Sequence, residues 1–267
     1  MKVLVENRQK LISELLTQRD TVTTAELVQY FSVSAETVRR DLLEMEEQNL
    51  LRRVHGGAVR ISEMKPFSHL EHRSHQNVEK KRALAYAAAE FVREDDFIGI
   101  DMGSTAIYFA QALCSRCSRL TVVTHALDVF EILRAQKNFN IILLGGHYMM
   151  RENSFYGALA IDMLSRLHLE KAFIFPSAVS LDAGITDHQQ DFYQVQRKMT
   201  EISDQVYVLA DSTKFGKKAL LKLDDMRPEY TYITDSALDD ALYQKLIESN
   251  YKIFKGDIQH ENHRNSR

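Results

Sequence analysis

The sequence is short of the features that mark a secreted, membrane-spanning or low-complexity chain. Two cysteines among 267 residues cannot build a disulfide framework, which points to a reducing cytoplasm. No apolar run approaches the roughly 18 residues that a membrane span needs, and the opening Met1-Lys-Val-Leu-Val-Glu6 does not read as a signal peptide. Three prolines and ten glycines leave little room for a low-complexity linker. A net charge of −3 provides no global basic field, so any contact with nucleic acid must come from local charge. What is present is an ordinary globular composition, 45% hydrophobic and 27% charged, which excludes intrinsic disorder. At about 150 residues per domain the length favours one large domain or two unequal ones.

The first sixty residues read differently from the rest. Leu11, Ile12, Leu15 and Leu16 recur at helical spacing and predict a helix over residues 8–17. Thr23 followed by Glu26 is a capping-box pair that opens a short helix carrying Ala25, Leu27 and Val28. After Phe31-Ser-Val-Ser34 a third helix presents Val38, Leu42 and Met45 to a core, with Ser34 as its N-cap and Glu36 in the first turn, where the helix dipole favours negative charge. Three short helices with tight turns make a helix-turn-helix unit. Residues 50–60 then alternate weakly around Gly56-Gly57, as a β-hairpin or wing. Residues 61–77 hold Lys65-Pro66 and scattered charge without a period, and are expected to be a linker or docking segment.

From Val78 the pattern becomes strand–helix alternation. Strands are expected at 97–101, 120–124, 140–144, 172–175, 205–210, 230–234 and 251–254, with helices near 79–92, 105–114, 126–136, 156–167, 190–203 and 237–248. Such alternation implies a mostly parallel sheet covered on both faces. The expected organisation is a winged helix-turn-helix over 1–60, a linker over 61–77, a larger α/β domain over 78–256 and a polar tail over 257–267.

On the third helix the inward positions leave Thr37, Arg39 and Arg40 near the opposite face. Arginine grips guanine O6 and N7 bidentately, and threonine suits a phosphate or a thymine methyl. Arg52, Arg53, His55 and Arg60 cluster on the wing, within reach of phosphates or the minor groove. Residues 1–60 carry nine basic and nine acidic side chains, so Arg39 and Arg40 also fit a plain solvated face. What favours DNA is segregation, since Asp41, Glu44, Glu46 and Glu47 follow the arginines instead of mixing with them.

In the second domain, the expected strand ending at Asp101 runs through Gly103-Ser104-Thr105 into a helix. Free N–H groups and the positive dipole end there suit a phosphate or carboxylate. The same turn equally fits a plain βα connection capped by Ser104 or Thr105. Thr124 and His125, Gly145 and Gly146, and the run Asp211-Ser-Thr-Lys214 close further strands at the same edge, where a parallel sheet binds its ligands. Lys214 there suits a phosphate, and Asp101, Asp182 and Asp211 suit sugar hydroxyls; a surface lysine and turn-forming aspartates are the plainer alternatives. Cys114-Ser-Arg-Cys117 lacks the second pair that zinc needs and reads as two reduced thiols. His69, His72 and His75 lack the company of a metal site, so neither metal nor cofactor is expected.

The runs Ala25-Glu-Leu27, Phe31-Ser-Val-Ser34, Thr37-Val-Arg-Arg-Asp-Leu42 and Arg53-Val-His-Gly-Gly-Ala58 resemble the DNA-binding signature of the DeoR family of bacterial sugar-metabolism regulators. Asp101-Met-Gly-Ser-Thr105, Thr124, Gly145-Gly146, Asp182-Ala-Gly-Ile-Thr186, Asp211-Ser-Thr-Lys-Phe-Gly216 and Thr234-Asp235 follow the order of that family's sensor domain. The resemblance implies a recognition helix from Ser34 to about Gln48, a sensor fold related to ribose-5-phosphate isomerase, and a transcriptional regulator, most often a repressor, with a phosphorylated sugar or sugar derivative as effector. Two positions depart from the family pattern: His125 stands where asparagine is usual, and Pro176-Ser177 falls in a stretch that is usually richer in glycine. The expected partners are a double-stranded operator, the effector and a second copy of the chain, in a dimer or larger homo-oligomer without membrane contact. The rival reading is a sugar-phosphate isomerase-like enzyme with an appended helical domain, for which Glu152 and Asp187 are the only candidate bases.

Overall fold

Residues 5–19, 21–48, 50–54, 56–59, 70–188 and 190–257 are described by a computed structural model, in which the chain separates into two units, Met1–Ser68 and His69–Arg267. The first unit runs α1 (Val5–Arg19), β1 (Thr21–Thr23), α2 (Thr24–Phe31), α3 (Ala35–Glu47), β2 (Arg52–Val54) and β3 (Gly57–Val59). Both expected caps form. Glu26 N–H donates to Thr23 Oγ1 at 3.1 Å while Thr23 N–H donates to the Glu26 carboxylate at 2.7 Å, and Thr37 N–H donates to Ser34 Oγ at 3.1 Å. Ile12, Leu16, Leu27, Phe31, Val38, Leu42 and Met45 close one core with Leu51 and Ala58 of the wing. The wing has a third strand that the sequence reading did not anticipate: β1 pairs with β3, giving the order β1-β3-β2. Three residues squeezed between a helix and a capping box show no readable alternation, so only the pairing partner makes them a strand.

The second unit begins at α4 (Leu70–Ser74) and α5 (Val78–Ala89), then alternates through β4 (Phe97–Ile100), α6 (Ser104–Arg116), β5 (Leu120–Thr124), α7 (Leu127–Leu133) and β6 (Phe139–Leu143). A hairpin of β7 (His147–Met149) and β8 (Ser154–Tyr156) precedes α8 (Ala158–Ser165) and β9 (Leu169–Ile174). There follow β10 (Ala178–Ser180), β11 (Gly184–Asp187), α9 (Gln190–Glu201), β12 (Ser203–Leu209), β13 (Leu221–Asp224), β14 (Thr231–Asp235), α10 (Asp240–Glu248) and β15 (Lys252–Gly256). The expected strands all appear, in one seven-stranded sheet of order β15-β14-β12-β9-β4-β5-β6 whose pairings are all parallel. Successive residues of β9 show the burial on both faces: Phe173 joins the core under α5 and α6, while Ala172 joins the core under α8 and α9. The hairpin β7–β8 and the antiparallel sheet β10-β11-β13 are additions to that pattern.

One expectation is corrected. Residues 61–77 are not a linker throughout: residues 70–77 belong to the second unit, with Leu70 buried and α4 packed against α6. The remainder of that segment, with residues 258–267 of the expected tail, lies outside the described residues.

The strand order fixes where a ligand can sit. From β4 the chain steps outward through β5 to β6, then returns to the other side of β4 as β9 and continues outward through β12, β14 and β15. Beyond the carboxyl ends of β4 and β9 the connections diverge, which is where an open parallel sheet is expected to leave a ligand crevice.

In the first unit, the Arg8 guanidinium meets the Asp41 carboxylate twice, at 2.8 and 2.9 Å, joining α1 to α3 with both side chains buried. Removing one member of such a pair strands a charge in an apolar setting. Asp41→Ala is therefore expected to cost about 3–5 kcal/mol of that unit's stability, and Arg8→Met combined with Asp41→Leu to recover most of it. Urea denaturation of the three proteins checks this; a single variant as stable as wild type would show that the pair does not hold the helices.

Candidate functional site

Building upward from α3, the buried residues Val38, Asp41, Leu42 and Met45 fix which face is left outward. Arg39 and Arg40 stand on it, their side chains 62% and 81% exposed. Each has an acidic neighbour on its own helix, Glu36 at 3.3 Å and Glu44 at 3.4 Å. Exposed pairs of this kind are worth about 0–1 kcal/mol and yield readily to a phosphate or a base edge. The acidic run that follows the arginines is weaker than the sequence suggests, because Asp41 is turned inward to Arg8. The hydroxyls of Ser34 and Thr37 lie 2.8 Å apart and complete the cap, so these two residues position the start of α3. Arg53 N–H donates to Glu46 at 2.8 Å, which ties the wing to α3. Arg52 is placed in β2 by its backbone; its side chain, His55 and Arg60 lie outside the described residues.

In the second unit the structure gathers residues around the crevice at β4 and β9. Asp101, just past β4, is buried with both carboxylate oxygens engaged. Oδ1 lies 2.9 Å from His125 Nε2, and Oδ2 accepts from Gln196 Nε2 at 2.7 Å and from Phe175 N–H at 3.4 Å. His125 Nδ1 donates to the Phe155 carbonyl at 2.8 Å. The same Nε2 also accepts from the Met102 N–H at 3.2 Å, so this ring nitrogen faces both the Met102 amide and the Asp101 carboxylate. Asp101 thus organises the strand ends, a role beyond the hydroxyl-accepting one expected of it.

Gly103 follows with φ +139°, a conformation that side chains rarely adopt, and so turns β4 directly into α6. Ser104 and Thr105 are buried in the first turn of that 13-residue helix, and Thr105 Oγ1 has no hydrogen-bond partner among the described residues. Neither hydroxyl caps the helix, which sets aside the plainer alternative for this turn. A buried polar atom without a partner in an ordered turn calls for an explanation.

Lys214 reaches the same strand ends: its Nζ donates to the Pro176 carbonyl at 2.7 Å, one residue beyond Phe175. Burial lowers its proton affinity, with Asp211, Asp187 and Asp101 opposing the fall and Arg73 adding to it. The sequence reading missed Lys81 of α5, which is buried and donates to the carbonyls of Arg73 and Gln76, the latter at 2.7 Å. Burial, with Lys214 and Arg73 nearby, brings Lys81 down to about 8. Arg73 pairs with the fully buried Glu152, yet burial still lowers it. Asp187 accepts from Ser177 Oγ at 2.9 Å and His188 N–H at 2.6 Å, and burial raises it. One signal for Lys81 was legible: it shares an apolar helical stripe with Leu84, Ala85 and Ala88, where a charge needs a reason.

Other expected residues are placed differently. Asp211 is buried and caps the short turn Ser212–Lys214, accepting from Thr213 N–H at 3.0 Å. Thr124 Oγ1 accepts from Ala126 N–H at 3.2 Å. Gly146 is a packing glycine, since a Cβ there would stand 2.4 Å from the Tyr156 carbonyl oxygen; Gly145 N–H faces Met163 Sδ at 3.4 Å. Asp182 is not brought to the crevice: it sits exposed in the β10–β11 turn, paired with Lys218. The thiols of Cys114 and Cys117 are both pushed up by burial, Cys117 to about 11, so neither is activated.

Comparison with known proteins agrees with both halves. The DeoR-like helix-turn-helix domain matches residues 8–64, and the DeoR C terminal sensor domain matches residues 76–236. The chain is 34% identical over 241 residues to the L-fucose operon activator of Haemophilus influenzae, spanning 90% of this chain and 96% of that protein. It is 31% identical over 242 residues to the glycerol-3-phosphate regulon repressor of Escherichia coli, spanning 91% and 95% respectively. Among solved structures, ribose 5 phosphate isomerase A from Neisseria gonorrhoeae aligns with a TM-score of 0.39 at 20% identity, over 51% of this chain and 52% of its own. With exposed arginines on α3, a wing beside it and a sensor domain matched along most of its length, the chain belongs to the DeoR family of DNA-binding transcriptional regulators.

Proposed function

We propose that this regulator is a repressor of a sugar-metabolism operon, released or recruited by a phosphorylated sugar or sugar derivative bound at the β4–β9 crevice. The observation that carries the effector assignment is Thr105: a buried hydroxyl without a partner, in the first turn of α6, at strand ends that also hold Lys214. A helix N-terminus offers N–H donors and positive potential to an anion. Lys214 and Lys81 add charge that the protein environment alone stabilises poorly, so an anion there forms charge-assisted hydrogen bonds and relieves a buried cation. A relative named for a glycerol-3-phosphate regulon fits a phosphorylated effector.

On the DNA side, Arg39 and Arg40 read base edges in the major groove, Ser34 and Thr37 set the start of α3, and Arg52, Arg53, His55 and Arg60 meet phosphates from the wing. Paired half-sites call for at least a dimer, and a genomic target places the protein in the bacterial cytoplasm. The chain carries out no catalysis in this reading. The candidate bases Glu152 and Asp187 are engaged by Arg73 and by Ser177 with His188 N–H, and a general base must reach its substrate's C–H.

Calorimetry with a sugar phosphate and its unphosphorylated parent tests the effector site. Wild type is expected to bind the phosphate form far more tightly, and Lys214→Ala to lose that preference while keeping operator affinity. Equal binding of the two ligands by wild type would overturn the phosphate assignment. For the DNA face, Arg39→Ala and Arg40→Ala are each expected to weaken operator binding by about 1–3 kcal/mol and to relax base preference at one position. Fluorescence anisotropy with operator variants measures both; unchanged affinity in both proteins would put recognition elsewhere.

A further inference from the structure

The helix α4 is five residues long, far below the length at which a helix holds itself together in water. Its order comes from side chains outside it. Lys81 Nζ donates to the carbonyls of Arg73 and Gln76, closing the helix from its C-terminal side. Tyr108 Oη donates to the Ser74 carbonyl at 2.8 Å, and Asn77 Nδ2 donates to Thr213 Oγ1 at 3.3 Å. The Arg73 guanidinium pairs with the buried Glu152 carboxylate. The start of α5 is bonded to the turn that carries Lys214: Asn77 reaches Thr213, and the neighbouring Lys80 Nζ donates to Ser212 Oγ at 2.8 Å, in the turn that Asp211 caps. In sequence, α4 is also the first described element after the DNA-binding unit.

We propose that α4 is a latch that opens when the anion site is occupied, with Lys81 as its clasp. The inference rests on the anion-site reading above and adds what binding does to the start of the second unit. An ammonium has three donors, and in the structure two of those on Lys81 serve the carbonyls that end α4. An anion beside Lys214 offers Lys81 a charged acceptor in place of neutral carbonyls, and charge-assisted hydrogen bonds are roughly twice as strong. The same anion competes with Glu152 for Arg73. Once these contacts shift, α4 has too few internal hydrogen bonds to persist, and it opens. Coupling of this kind is reciprocal, so conditions that hold α4 closed must also weaken anion binding. Local opening of a marginal segment is the low-energy motion this requires.

Hydrogen exchange on the full-length protein, with inorganic phosphate as the probe, tests the latch. Thermal stabilisation by phosphate in wild type, absent in Lys214→Met, establishes that the anion site is occupied. Under those conditions the amides of residues 74–81 are expected to exchange about a hundredfold or more faster with phosphate than without, the size set by losing two hydrogen bonds to a charged donor. Lys81→Met is expected to exchange fast at these amides with or without phosphate, while β4 keeps wild-type protection as a check that the unit is folded. Lys81→Arg, which keeps a cation able to reach the same carbonyls, is expected to restore slow exchange in the absence of phosphate. If phosphate stabilises wild type through Lys214 but leaves residues 74–81 unchanged or slower, the latch is overturned and the anion site stands. If phosphate stabilises wild type and Lys214→Met alike, or neither, the anion-site reading fails and the latch falls with it.

Discussion

A single buried carboxylate gathers the sensor domain's crevice. Asp101 pairs with His125 beyond β5 and accepts from Gln196 on α9 and from the Phe175 amide beyond β9, so one side chain at the end of β4 fixes three neighbouring elements. A buried carboxylate is tolerated only when its oxygens are satisfied, and here the satisfaction doubles as alignment. The turn at Gly103 leaves Asp101 at once, which puts the first turn of α6 in a place determined by the same network. Asp101 and His125 make this hub a histidine–aspartate pair, with the Met102 amide on the same ring nitrogen.

Around that hub the charges are arranged at a cost. Lys81 and Lys214 are both held where burial weakens their hold on a proton, and Arg73 adds a third cation nearby. Burying a charge is unfavourable unless it is paired, and replacing Lys81 by a leucine would fit its apolar stripe better. Such a cluster is stable in the resting protein because Asp211, Asp187 and Glu152 offset part of it and carbonyls take the remaining donors. It is also strongly rewarded by any anion that enters. The DNA-binding unit follows the opposite policy: the buried ion pair of Arg8 with Asp41 is complete, and Arg39 and Arg40 are kept exposed.

Much of this was legible in the amino-acid order, and the failures have physical causes. Long apolar runs with β-branched residues marked the strands of the central sheet, and the caps at Thr23 and Ser34 marked where helices begin. The three-residue strands β1, β7, β8 and β10 carry no period of their own and exist through their partners. Ser104, Thr105 and Lys214 stood out as candidates because a turn at a strand end has a recognisable composition. Arg73 and Lys81 were missed because their role depends on where α4 and α5 pack, and the segment around Arg73 looked like a linker. Asp41 read as surface charge because its partner, Arg8, is 33 residues away in sequence. Asp182 matched the family order, yet its turn faces solvent and pairs with Lys218.

The proposed anion site requires Lys81 to be a cation that awaits an anion. Its titration can be followed directly by nitrogen-detected NMR of the lysine Nζ atoms in the full-length protein, assigned by comparison with Lys81→Arg. Without added anion the midpoint should lie near 8, and saturating inorganic phosphate should move it up toward the ordinary lysine value of 10.5, because a bound anion favours the charged form. A midpoint already near 10.5 in the free protein, or one that stays near 8 while phosphate is bound, would contradict it.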